Sequence, residues 1–293
     1  MHMEEATLDT TTDLSLPQDN IQDIIFPTIS QKQLAWQDIS DGLSQWRIWL
    51  MLAYQDIKLR YNRSVLGPFW ITLSMAITVY SMGFLYSHLF HMVLSEYFPY
   101  LVTGMLTWTL IATTVTDMVE AFSLNESMLK QIKLPYSLYV HRVAARNILI
   151  FFHNVLVFVP IAIIYHSNIN IGLNWLLIFP GLLIIYFNSI TFGLAFAMIG
   201  ARYRDISQLI KSLIQVVFFL TPVMWSPKIL PAKMQFIVNL NPAFSLLELI
   251  RAPLLGYYVS VTTVCMILLT TLVGLAISYF MFASRRARII YWL

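Results

Sequence analysis

Charge is what this sequence has least of. Only 11% of its 293 residues are Asp, Glu, Lys or Arg, while 58% are hydrophobic; ordinary soluble domains carry about 25% and about 45–50%. So little charge cannot clothe a soluble surface, and the composition is that of an integral membrane protein. Cysteine is nearly absent too: Cys265 alone, set in an apolar run, excludes a disulfide framework and a cysteine metal cluster. The net charge is only +3, and its basic residues form no block interleaved with aromatics, which excludes a nucleic-acid partner. No G-x-x-x-x-G-K-[ST] phosphate loop occurs, so any ATP-driven work belongs to another chain. There is no repeat of 20 to 50 residues and no basic, apolar secretory leader, so an uncleaved helix must target the protein to the membrane. Residues 1 to 31 hold six acids and no Lys or Arg, which predicts a disordered acidic tail over 1–33.

What the chain has in abundance is long apolar runs. They fall at about 69–90, 98–122, 145–166, 174–200, 207–224 and 258–282, each near the roughly 20 residues that cross a bilayer as helix. The expectation is an all-α membrane protein with six transmembrane helices over 67–284. Pro222 interrupts the fifth run, and Pro227, Pro231, Pro242 and Pro253 punctuate the apolar segment 225–257, which predicts short re-entrant helices between spans five and six. Fifteen of the 18 Lys and Arg then fall on the side of the termini and three, Lys228, Lys233 and Arg251, on the other. The positive-inside rule makes both termini cytoplasmic, including the basic C-terminal residues 285–293.

From Leu34 to Tyr61, Leu43, Trp46, Trp49, Leu50 and Ile57 alternate with Asp41, Arg47, Asp56 and Lys58 in a helical rhythm. That pattern predicts an amphipathic helix lying in the cytoplasmic interface, with its connection complete by residue 66. Gly67 and Pro68 turn the chain into the first span, Pro68 being tolerated where a helix lacks internal N–H partners. Arg60 and Arg63 stand at this corner, either as phosphate-facing anchors or as ordinary topology charges.

Within the spans, Trp70, Ser74, Ile77, Ser81, Phe84 and His88 recur at 4-3-4-3-4 spacing and share one helix face. Such a stripe suits a pore that carries sugar, whose C–H faces stack on aromatics, and equally suits helix packing in lipid. Gln215 in the fifth run is a further intramembrane polar group expected to face protein or water. Asp117 and Glu120 share a face at the inner end of span two, where a proton relay and simple pairing with Arg142 or Arg146 are the two readings. His88 and His91 are three apart, but a metal site there lacks further ligands.

Several phrases, in order, carry a family resemblance. "WQDISDGLSQWRIWLMLAYQDIKLRYNRSVLGPFWITLSM" (36–75), "EYFPYLVTGMLTW" (96–108), "ARYRDISQLI" (201–210), "TPVMWSP" (221–227) and "LNPAFSLLELIRAPLLG" (240–256) resemble the membrane subunit of type 2 ABC exporters, in the branch that exports O-antigen, capsule and teichoic acid. The resemblance covers about 36–288. It implies a homodimer bound to two cytoplasmic ATPase subunits that hold the ATP and Mg, this chain binding no cofactor. It also implies export of lipid-linked polysaccharide, most simply O-antigen on undecaprenyl diphosphate, across a bacterial inner membrane. Arg60 and Arg63 would then receive the lipid diphosphate, with Trp70, Ser74, Ser81, Phe84 and Gln215 lining the channel. The loop with Glu126, Lys130, Lys133 and Pro135 and the turn Arg202, Tyr203, Arg204, Asp205 would couple to the ATPase; by charge alone that turn also reads as an anchor of span ends. A drug or small-lipid exporter of the same fold is the alternative. A membrane-embedded transferase is disfavoured, because acids and histidines are dispersed over different elements.

Overall fold

A computed structural model describes residues 30–60, 62–89 and 91–293. Of the disordered acidic tail expected over 1–33, residues 1–29 lie outside them, and 31–33 are helical. Among the described residues all regular structure is helical.

Helix α1 (Gln31–Ser44) starts three residues ahead of the expected boundary because Ser30 and Gln33 form a capping box that satisfies the first free N–H groups. At Gln45 the chain bends into α2 (Trp46–Arg60), so the amphipathic stretch is two helices. Gly67, at φ +55°, turns the chain into α3 (Phe69–Leu89), and α4 (Leu94–Glu120) returns beside it. A short α5 (Glu126–Gln131) leads to α6 (Tyr136–Val155), which continues through a break into α7 (Phe158–Ile164). Next come α8 (Ile178–Arg202), α9 (Ile206–Leu220), α10 (Gln235–Asn239), α11 (Pro242–Leu254), α12 (Val261–Arg285) and a last turn, α13 (Ile289–Trp292).

Five stretches are long and apolar enough to cross a membrane: Phe69–Leu89, Leu94–Glu120, Tyr136–Ile164, Leu173–Arg202 and Val261–Trp292. The third opens nine residues ahead of the expected 145 because its helix takes in Arg142 and Arg146, whose charges are met by Asp56 and Asp117. The expected fifth span, on α9, is not among them: it is a helix of 15 residues, about 22 Å at 1.5 Å per residue, against a hydrocarbon core of about 30 Å. It stops where Pro222 cannot continue it. The chain then doubles back through two short 3-10 turns, α10 and α11. Asn241 caps α11 by accepting from the Ala243 and Phe244 N–H groups, and its own amide donates to Thr221 Oγ1 at 3.0 Å, tying the returning segment to the end of α9.

Helix α4 is the hub, with α3, α6, α8, α9 and α11 all packed on it. Its buried residues, among them Leu101, Leu106, Leu110 and Met118, run almost its full length. Gly104 permits a close approach here: a Cβ would stand 2.6 Å from the Val223 carbonyl oxygen. A second cluster, around Ala35, Phe122, Tyr139, Leu194 and Phe282, closes the end of the bundle where α1, α5 and the 285–293 segment meet.

Candidate functional site

Arg60 and Arg63 are exposed and pair with no described residue; Arg63 lies in the left-handed region at φ +66°, a conformation uncommon for a side chain of its bulk. What holds this corner is the inner face of α2. Ala53 and Ile57 are buried, and Trp49 stacks on His141 of α6 at 5.5 Å between ring centroids. Asp56 accepts a forked pair of hydrogen bonds from Arg142, its Oδ2 lying 2.9 Å from Nε, and a further one from Arg146 at 3.3 Å. Arg60 therefore sits one helical turn beyond an anchored carboxylate.

The segments expected to couple to a partner gather at one end. Glu126 and Lys130 form an i,i+4 pair at 2.6 Å on the exposed side of α5, and the Lys130 ammonium holds the Glu126 carboxyl below its usual range. Arg202 lies over the rings of Tyr203 and Trp292, at 5.0 and 5.5 Å. Glu126 and Arg204 share a cleft of about 540 Å³ with Glu120, Ser207 and Trp292. Lys133 and Pro135 line a second one, of about 460 Å³, with Asp38, Gln45 and Arg286. Asp205 occupies the N-cap position of α9; its carbonyl accepts from the Gln208 and Leu209 N–H groups, while its side chain caps none.

Pro135 occupies the N-cap position of α6 and has no side chain with which to cap it. Asp38 of α1 does so from a distance of almost a hundred residues: its two oxygens accept from the Tyr136 and Ser137 N–H groups at 3.1 and 3.0 Å. Ser137 Oγ donates to the Asp38 carbonyl at 2.6 Å, and Arg286 pairs with the same carboxylate at 2.9 Å. The Asp38 side chain is wholly buried.

Trp70, Ser74, Ser81 and Phe84 all lie on the uncovered face of α3 together with Ile77 and His88; Phe84 is 64% exposed. The opposite face, with Thr72, Met75, Val79, Gly83 and Ser87, packs inward. Gln215 is exposed on α9, a helix with no fully buried residue. Both helices pack on α4, which adds a half-buried row of Thr109, Thr113, Thr116 and Glu120 on one of its faces.

The two carboxylates at the inner end of α4 are each partnered. Asp117 accepts from Arg146 at 2.7 Å and from Asn147 at 3.1 Å; Glu120 accepts from Lys211 at 2.6 Å and from Ser207. Of the two arginines considered for this role, Arg146 reaches Asp117, while Arg142 is committed to Asp56 and Asn125. Among the described residues no cluster of His, Cys, Asp or Glu suits a metal ion, and His88 Nδ1 faces the Phe84 carbonyl at 2.7 Å.

Sequence reasoning missed Arg251. Counted only as one of three charges on the side opposite the termini, it is 1% exposed. It bonds Glu248 through Nε at 2.7 Å and the Pro222 carbonyl through Nη1 at 2.6 Å. The Glu248–Arg251 spacing inside an apolar run was the available signal.

Two kinds of comparison bear on this arrangement. Residues 47–255 match the model of the family described as ABC-2 type transporter. Two proteins of Klebsiella pneumoniae, each named O-antigen export system permease protein RfbA, are similar over most of their length. One is 26% identical over 236 residues, covering 78% of this chain and 89% of that protein; the other is 24% identical over 233 residues, with the same two shares.

Proposed function

Because the chain belongs to the ABC-2 type transporter family, we propose that it is the channel-forming subunit of an ATP-driven exporter of lipid-linked polysaccharide. The substrate we favour is O-antigen on undecaprenyl diphosphate, moved from cytoplasm to periplasm across a bacterial inner membrane. Two copies form the conduit, α9 and the doubled-back segment after it supplying the fifth span and the re-entrant part. Both termini face the cytoplasm, as the fifteen-to-three distribution of Lys and Arg favours. Two ATPase subunits, which hold the ATP and Mg, engage α5 and the Arg202–Asp205 turn.

The observation that carries the reading is the bare face of α3. A helix facing only lipid has no need of Ser74 and Ser81 between Trp70 and Phe84, whereas a sugar polymer presents both C–H faces and hydroxyls to such a surface. The names of the two Klebsiella proteins point to the same substrate class. ATP binding closes the ATPases, their movement passes through α5, α3 and α9 of the two copies separate, and the lipid diphosphate is received by Arg60 and Arg63, guanidinium matching phosphate oxygens bidentately.

The test is the double substitution Trp70→Ala with Phe84→Ala in the assembled complex. Export of polymer is expected to fall while the subunits stay associated and ATP hydrolysis persists. Export at the unsubstituted rate refutes a sugar-lining role for this face.

A further inference from the structure

Helices α1 and α2 are fastened to α6 at two heights, and both fasteners are carboxylates. Asp38 caps the first turn of α6 at Tyr136 and Ser137. Asp56 grips Arg142 and Arg146, about one and a half and two and a half turns further along. Each is tied onward: Asp38 to Arg286 beyond α12, Arg142 to Asn125 at the start of α5, and Arg146 to Asp117 of α4. Gly42 lets α1 come close enough for this, since a Cβ there would stand 3.0 Å from the Leu138 nitrogen and 3.1 Å from Ser137 Cβ. Only four residues, Ile132 to Pro135, separate α5 from the capped end of α6.

We propose that Asp38 and Asp56 are positioning residues that make α1–α2 and α6 one rigid body, so that displacement of α5 is delivered to the Arg60–Arg63 corner. The inference rests on the export reading above and adds to it the route by which the ATPase contact reaches the residues that receive substrate. The physical reason is the number and kind of bonds. A buried carboxylate that accepts two backbone N–H groups and a guanidinium has no alternative partner of equal strength, and leaving any member unpaired is costly. Such a joint does not slip under load as an apolar helix contact does. Arg60 follows Asp56 by four residues on the same helix, hence on the same side, so a fixed Asp56 fixes the direction in which Arg60 projects. Arg63, beyond the end of α2, is carried along with it.

The test uses the complete complex with its ATPase subunits in vesicles, comparing ATP hydrolysed with polymer exported. Asp56→Ala is expected to leave assembly and hydrolysis in place while export per ATP falls by about tenfold, the range set by coupling energies of contacting groups. The exchanged pair Asp56→Arg with Arg142→Asp restores a large part of it, which a merely lost packing contact does not permit. Arg286→Gln, half-way to the surface and less prone to misfolding, is expected to lower export per ATP in the same direction. Unchanged export per ATP in Asp56→Ala and Arg286→Gln overturns the joint while leaving the export reading intact. Absence of polymer export by the unsubstituted complex refutes that reading, and the joint's role with it.

Discussion

The guanidinium of Arg251 lies over the ring of Tyr100, its central carbon 4.3 Å from the ring centroid. The same cation pairs with Glu248 and donates to the Pro222 carbonyl, and Tyr100 Oη donates to that carbonyl region too, 3.1 Å from the Pro222 oxygen and 3.0 Å from that of Trp225. One buried side chain thus joins α11, the turn after α9 and the hub helix α4. Removing it leaves the Glu248 carboxylate without its cation and the Pro222 carbonyl with Tyr100 Oη as its remaining donor.

Arg251→Ala is therefore expected to destabilise the protein by about 3–5 kcal/mol, seen as a large fall in the thermal unfolding midpoint of the detergent-purified chain. Arg251→Lys falls between, because a single ammonium cannot serve Glu248 and Pro222 in the same fork. An unchanged midpoint for Arg251→Ala contradicts this account of the turn.

The Glu120–Lys211 pair makes the opposite case. It links α4 to α9 at 2.6 Å, but the lysine side chain is 48% exposed. Lys211→Ala is expected to cost about 0–1 kcal/mol, a shift in midpoint near the limit of measurement. A loss as large as that of Arg251→Ala would show that α9 is held chiefly at this end.

Gly42 faces the first turn of α6, where any Cβ presses on Ser137. Gly42→Val is expected to cost about 1–3 kcal/mol through overpacking and to make α1 susceptible to protease. Resistance equal to that of the unsubstituted protein counts against the close seating of α1.

Arg60 and Arg63 are exposed and pair with no described residue, so their removal leaves no described residue without a partner. The double substitution to Ala is expected to keep the thermal midpoint and the ATPase association while abolishing export. Normal polymer export by this variant contradicts their role toward the lipid diphosphate.

The helical membrane architecture was legible because apolar runs of the right length are a local property of the chain. The α3 stripe was legible for the same reason: a 4-3-4 spacing fixes a common face before any packing is known. What escaped were the residues whose meaning is set by distant partners. Arg142 and Arg146 look like loop charges until Asp56 and Asp117 neutralise them, which is why α6 begins at Tyr136 and not near 145. Asp38 reads as one polar position on an amphipathic helix, yet its partners lie 98, 99 and 248 residues away. Arg251 was counted only as a charge on the side opposite the termini, because hydropathy sees its charge and not the ring, carboxylate and carbonyl that enclose it. The fifth apolar run joined α9 to the turn beyond Pro222, and no single helix fills it.

The most direct test of polysaccharide export is to deplete the protein in the cell that carries it and to locate lipid-linked polysaccharide by fractionation and immunoblotting. The account predicts polymer retained at the cytoplasmic face and missing from the cell surface, restored by the intact gene and not by the Arg60→Ala, Arg63→Ala form. Surface polymer at its normal level after depletion would contradict it.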